Sequence, residues 1–249
     1  MSKRCLVLLA AMACLTLTIS CAMDNSTEQI AVIEPTATAA PAPASESSPA
    51  PAAADTPSAS AAADQEDINM NNPNHREVAV LDTDAGVIVL GFFPDVAPKH
   101  VENFVQLARS GFYNGTKFHR IIPGFMIQGG DPNTKTADVS SWGMGGPGST
   151  VPAEFNNKPH IRGTLSMARS SDPNSAGSQF FICQVPYPSL DGKYTVFGET
   201  LEGLEVVDKI VTAPIVPETK NRGDRPINPV AIKNVVITTW GEYQQTKSQ

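Results

Sequence analysis

Between Arg4 and Arg76 the chain carries no lysine or arginine, and most of that span is alanine, proline, serine and threonine, as in EPTATAAPAPASESSPAPAAADTPSASAAAD. Such a composition buries too little apolar surface to offset the entropy lost on ordering a chain. A hydrophobic core is therefore confined to the residues after about 75, and about 170 residues suffice for one. The same stretch sets the charge. It holds eight of the 25 acidic residues, whereas the residues from Arg76 onward hold 16 bases against 17 acids, so the formal net charge of −7 belongs to the low-complexity stretch. A nearly neutral domain without a basic stripe argues against nucleic acid as the main partner.

Ahead of this stretch, Lys3 and Arg4 precede the apolar run CLVLLAAMACLTLTI. Residues 1–20 read as a secretory signal peptide, too short and wrongly flanked for a spanning helix. The run ends in LTISC, which resembles the lipobox of bacterial lipoproteins and implies cleavage before Cys21, which then carries lipid. Thr18 and Ile19 stand where that pattern favours Ala and Gly. A second candidate, AAMAC at Cys14, leaves an apolar core of only about eight residues. The alternative is a secreted protein cut near Ala22. Two or three acyl chains, at about 0.8 kcal/mol per buried methylene, would anchor the protein stably. The expected location is the bacterial cell envelope, with the domain outside the cytoplasm. Ala22 rather than Asp after Cys21 favours the outer membrane where two membranes exist. Residues 21–74 are expected to form a disordered tether reaching roughly 40 Å on average and under about 160 Å when fully polyproline-like. Beyond the leader only Cys183 remains, so no intrachain disulfide is expected. His75, His100, His119 and His160 lack ligand spacing, so neither a metal nor a cofactor is expected.

From 75 to 241 the pattern changes to short β-like runs. EVAVLDTDAGVIVLGFF reads as a hairpin turning at TDAG, where Gly86 can take positive φ. DVAPKHVENFVQLARSGFY reads as a helix, with Asp95 as candidate cap, Pro98 in the first turn, an apolar stripe of Val101, Phe104, Val105 and Ala108, and Gly111 at its end. Further strands are expected in GTLSMAR, SQFFICQV, TVFGET and VAIKNVVITTW, and a second helix in LEGLEVVDKIV. Many strands with few helices point to a mainly β fold, an antiparallel barrel closed by helices. Residues 242–249 are left as a tail, and the glycine cluster WGMGGPGSTVPAEF as a mobile surface loop without a phosphate-loop ending. Nothing in the sequence indicates oligomerisation.

KFHRIIPGFMIQGGD, residues 117–131, places Arg120 and Gln128 among Phe, Ile and Met. By strand alternation Phe118, Arg120 and Ile122 share one face, His119 and Ile121 the other. A buried guanidinium without a partner costs several kcal/mol, on the order of other unpaired buried charges, so Arg120 must meet a carboxylate, reach water or line a ligand site.

FHRIIPGFMIQGGD, RGTLSMAR, NSAGSQFFI and LDGKYTVFGE, in this order and spacing, resemble the cyclophilin-type peptidyl-prolyl isomerases over about Glu77 to Thr239. The resemblance implies a closed eight-stranded antiparallel barrel capped by two α-helices, with an active groove on its outer surface. It implies that Arg120 is the catalytic guanidinium and that Phe125, Met126, Phe181 and Leu190 line a proline pocket. Gln128, Gln179, Tyr194 and the main chain of Arg169 would contact the substrate backbone. The implied partners are proline-containing polypeptides, here exported ones, acted on by a monomer without metal or cofactor. A non-catalytic proline-binding module or holdase is the alternative; it would need the apolar pocket but not the guanidinium. Three departures stand out: Ser189 where the best-known pattern has Trp, which implies weak cyclosporin binding, Tyr194 in place of His, and Arg169 in place of Asn. The longer segment 132–146 departs from the compact family form. His119 is expected to turn away from the groove, Cys183 to be a small core residue, and Phe118, Phe180, Ile121 and Ile127 to belong to the core.

Overall fold

The computed structural model describes residues 73–217 and 224–249. The expected signal peptide, Cys21 and the expected tether up to residue 72 lie outside the described residues, while Pro73 and Asn74, the last two residues given to that tether, begin a short 3-10 turn, Pro73–His75. β1 (Glu77–Thr83) and β2 (Gly86–Phe92) form the expected hairpin, with Thr83 paired to Gly86, whose φ is 139°. After α1 (Pro98–Arg109) come β3 (Arg120–Ile122), β4 (Met126–Gly129), β5 (Thr164–Met167), β6 (Phe180–Cys183) and β7 (Val196–Glu202). Then α2 (Leu204–Val211), β8 (Ile232–Thr239) and α3 (Trp240–Lys247) complete the order. All pairings are antiparallel, in the order β3-β4-β6-β5-β7-β2-β1-β8.

The sheet curls until its two ends approach. A bridge joins Lys117 to Ala231, and main-chain bonds run from Phe118 N to Val230 O and from Ile232 N to Thr116 O. These bonds tie the segment before β3 to the start of β8. Inside, Leu81, Ile88, Leu90, Phe118, Ile121, Ile127, Leu165, Phe180 and Phe197 are fully buried. Phe104 of α1 lies among Phe92, Tyr113, Phe180 and Phe197 at ring separations of 4.8 to 5.7 Å, so α1 closes one end through a single aromatic knot. Val207, Ile210 and Val211 of α2 join the same core.

Several expectations are corrected. Asp95 does not cap α1; Ala97 is the N-cap, without a side-chain bond. Glu154 caps the helix from a distant loop, accepting from Lys99 N at 3.1 Å and His100 N at 2.9 Å. A carboxylate here satisfies two orphan donors and the helix dipole together, so no local cap is required. Phe118 does not share the face of Arg120. The pleat breaks between the bridge at Lys117 and the start of β3, which lets Phe118 turn into the core. The expected tail is largely α3, started by a capping box in which Thr239 and Glu242 exchange hydrogen bonds.

Candidate active site

Pairing of β3, β4, β6 and β5 aligns Arg120, Gln128, Phe181 and Ser166 in one cross-strand row. The next row, Ile121, Ile127, Ile182 and Leu165, faces inward and is fully buried. The third, Ile122, Met126 and Cys183, returns to the first face. Because residues two apart share a face, one polar row and one apolar row lie side by side outside the core.

Arg120 and Gln128 of the first row, with Gln179 just before β6, form a directed chain. Arg120 Nε donates to Asp224 Oδ2 at 2.5 Å, and Arg120 Nη1 to Gln128 Oε1 at 3.3 Å. Gln128 Nε2 donates to Gln179 Oε1 at 3.0 Å, and Gln179 Nε2 to the Gly145 carbonyl at 2.8 Å. With its first member able only to donate, each amide orientation along the chain follows from the one before. The row borders a groove of about 920 Å³ lined by Arg120, Gln128, Gln179, Asp224, Arg169 and the loop 143–150. The glycine cluster lies at the surface, as expected, with Met144, Gly146 and Gly148 exposed, and it also forms one wall of the groove. It is keyed in place by the fully buried Asp131, whose carboxylate accepts from Asn133 N at 2.8 Å and from Gly143 N. A side chain at Gly145 would overlap that carboxylate.

Beside the polar chain, Met126, Phe181 and Cys183 form a buried cluster packed by Ile122, Phe125, Ala168, Leu190 and Tyr194. All four residues expected in the proline pocket thus meet, with Tyr194 edge-on to Phe181 at 5.9 Å. Tyr187, which no motif singles out, lies tilted by 33° over Phe125 at 4.2 Å and extends the apolar rim. Burial and the neighbouring Asp191 push the Cys183 thiol up to about 12, so it sits as a neutral core group. His119 is buried and its N–H donates to the Gln128 carbonyl.

Arg169 lies two residues past the end of β5, near Gln179. Its guanidinium covers the Tyr194 ring at 4.7 Å and donates to the carbonyls of Lys193, Ser170 and Ser171, tying two loops together. Behind Phe181, His160 is held by Asp191 and Ser166, and burial pulls its imidazole below the ordinary value of 6.5. Asp224, 104 positions from Arg120, carries no motif that would have joined it to the site.

The sequence profile of the family described as "Cyclophilin type peptidyl-prolyl cis-trans isomerase/CLD" matches residues 78–237, well over half of the chain. The chain belongs to the cyclophilin family. It is 49% identical over 148 residues to a peptidyl-prolyl cis-trans isomerase of Synechococcus elongatus, an alignment covering 56% of this chain and 97% of that protein. It is 43% identical over 160 residues to the Gallus gallus protein named peptidyl-prolyl cis-trans isomerase-like 3, covering 63% and 93%. Among solved structures, a Cryptosporidium parvum cyclophilin-type isomerase superposes with a TM-score of 0.58 at 33% identity, covering 66% of this chain and 98% of that one. The same protein in the presence of the dipeptide Ala-Pro gives 0.58 at 34% identity, covering 65% and 99%. This cyclophilin is accordingly a peptidyl-prolyl cis-trans isomerase, and its curled eight-stranded antiparallel sheet with helices is the fold of the family.

Proposed function

We propose that Arg120 supplies the rate acceleration and that the protein acts on exported polypeptides at the bacterial envelope, held there by lipid on Cys21. Amide resonance gives rotation about the X-Pro bond a barrier of about 18–20 kcal/mol. At the twisted transition state the prolyl nitrogen pyramidalises and recovers its lone pair. A fixed cationic donor aimed at that lone pair stabilises the twisted state over both planar ones, which is the condition for catalysis rather than uniform binding. A gain of about 2.7 kcal/mol there amounts to roughly a hundredfold in rate. The apolar cluster of Phe125, Met126, Phe181 and Leu190 receives the prolyl ring, while Gln128, Gln179, Tyr194 and the main chain of Arg169 meet the neighbouring peptide groups.

The observation that carries this reading is the register of Arg120 with Gln128 and Phe181, which sets a guanidinium one pleat from an apolar pocket. A binding module would have use for the pocket but none for an oriented cation beside it. The test is cis-to-trans relaxation of a short X-Pro peptide by the purified protein, without a coupling protease. Arg120→Ala is expected to lose about a hundredfold or more of the acceleration with peptide affinity retained. Unchanged acceleration would remove Arg120 from the mechanism. The anchor is supported by the LTISC sequence alone and is tested by labelling with radioactive palmitate, with Cys21→Ala as control. A native protein that takes up no label would refute it.

A further inference from the structure

We propose that Asp224 is a positioning residue for the isomerisation, holding the Arg120 guanidinium by its Nε edge so that its terminal N–H groups face the groove. This rests on the assignment of Arg120 as the transition-state donor. β3 is an end strand of the sheet, and the Asp224 carbonyl accepts from Ile121 N at 2.8 Å, continuing the ladder past that end. The same segment is stapled on its other side, where Ile215 bridges Pro226, Val216 N donates to Arg225 O at 2.8 Å and Ile227 N to Pro214 O at 2.8 Å. Main-chain bonds thus place Asp224 without help from its side chain, and its carboxylate stands ready before Arg120 is considered.

The carboxylate then takes the one guanidinium donor that a groove ligand is least able to use. Of the five N–H donors of arginine, Nε–H goes to Asp224 and one Nη1–H to Gln128, leaving three on the terminal nitrogens. Two bonds at separate points of a planar group fix its plane as well as its place. Without Asp224, Gln128 alone would hold Arg120, at 3.3 Å and near the long limit of a hydrogen bond, and an arginine released to that single contact recovers much of its rotamer freedom. A donor displaced by about an ångström from the reacting atom can cost up to about a hundredfold in rate while the substrate still binds. Asp224 is half-buried with Arg120, side-chain exposures being 23% and 34%, so the contact is shielded enough to hold its geometry yet open on the side a peptide approaches.

The experiment compares the full chain with Asp224→Asn and Asp224→Ala, with Arg120→Ala alongside. Turnover is read by exchange spectroscopy on a saturating Ala-Pro peptide, affinity by titration of the same peptide, and folding by thermal melts. Loss of the carboxylate is expected to lower turnover about tenfold in Asp224→Ala and about threefold in Asp224→Asn, which keeps a carbonyl acceptor, with peptide Kd within about twofold of the parent. The Arg120 Nε–Hε resonance, identified by its absence in Arg120→Ala, is expected to be sharp in the parent and lost to exchange in Asp224→Ala. A merely structural role would lower affinity and melting temperature together and leave no Asp, Asn, Ala ranking in turnover. Parental turnover in both folded variants, or faster turnover, overturns the proposal if Arg120→Ala is inactive. If Arg120→Ala is itself fully active, the catalytic assignment fails first. Should Asp224→Ala not fold, Asp224→Asn and its Nε–Hε signal decide alone.

Discussion

His160 lies flat against Phe181, ring centroids 6.0 Å apart and planes at 11°, with its Nδ1 2.8 Å from Asp191 and its Nε2 3.0 Å from Ser166. Its main-chain N–H also donates to Asp191, and the Ser166 hydroxyl, with one proton to give, lies 3.0 Å from both the ring Nε2 and the Thr195 carbonyl. The Phe181 wall of the apolar cluster is thus backed by a buried ring fixed at both nitrogens. Replacement by an apolar side chain of similar size, His160→Leu, is expected to cost about 1–3 kcal/mol by stripping Asp191 and Ser166 of a partner. It is also expected to weaken proline-peptide binding severalfold by letting Phe181 tilt. Urea denaturation and peptide titration check the two halves; lowered stability with unchanged affinity would deny the backing role.

Acid should destabilise the domain through its buried histidines. Burial pulls both His100 and His160 below the usual 6.5, against the opposing pull of Glu154 and Asp191. The unfolded chain therefore takes up protons at a pH where the folded one resists them, and stability rises with pH across that window. The contribution is complete above about pH 6.5 and is lost as the pH falls through the lower folded values. Lower still, Asp191 adds a second loss, because the His160 main-chain and ring bonds hold its carboxyl below the ordinary range. Melting temperature is expected to be level from about pH 8 to 7 and to fall steadily toward about pH 5, less steeply in His160→Gln. A flat profile would contradict the account.

Part of what the sequence made legible follows from period-two alternation. Arg120 and Gln128 stand out in the sequence as polar residues among apolar ones, while their roles and the choice of Phe181 follow from the resemblance to the family motifs. The contacts that escaped come from far along the chain. Asp224 reaches Arg120 from a segment without periodicity, and Glu154 caps α1 where the local Asp95 looked sufficient. The glycine loop gave a composition typical of surface, while its role depends on Asp131 being fully buried beneath it. α3 has no apolar stripe to announce it, although Thr239-Trp240-Gly241-Glu242 spells a capping box. Alternation carried across a break in the pleat puts Phe118 on the face of Arg120, whereas its reading as a core residue agrees with its full burial.

Cyclosporin should inhibit this cyclophilin weakly. Ser189, at the position where the family's best-known pattern has Trp, is exposed, and its carbonyl accepts from Lys193 Nζ at 3.1 Å. A hydroxymethyl group offers none of the aromatic area an indole provides. Ser189→Trp is expected to tighten inhibition by tenfold or more, on the order of 1.4 kcal/mol. A nanomolar inhibition constant for the parent would refute the prediction.

Gly130 closes the groove strand in a conformation that a side chain resists. Its φ is +82°, its carbonyl accepts from Ser178 Oγ at 2.7 Å, and an added Cβ would overlap the Ser178 carbonyl oxygen. The left-handed region alone costs an L-residue about 1–2 kcal/mol, and backbone rather than a flexible side chain must move to relieve the overlap. Gly130→Ala is expected to lose more than about 2 kcal/mol in urea denaturation. A loss under about 1 kcal/mol would mean that Ser178 yields freely.

Glu154 should matter for stability and not for turnover. Its carboxylate accepts from Lys99 N and His100 N and lies 2.6 Å from His100 Nδ1, whose side chain is fully buried. Burial works to raise its pKa, but the bonds from His100 and Lys99 prevail and hold it below the ordinary 4.5, which marks the charged form as the one the fold stabilises. Removing it uncovers the first turn of α1 and strands a buried imidazole, costs of about 1–2 and 1–3 kcal/mol respectively. α1 carries Phe104, the hub of the aromatic knot, so the loss is expected to be global rather than local. Glu154→Ala should melt well below the parent, with Glu154→Gln between them because one amide oxygen can still accept. At a temperature where all three are folded, peptide relaxation is expected to be equal, since Glu154 does not border the groove. Activity falling in step with stability in the folded variants would place the cap within the catalytic machinery instead.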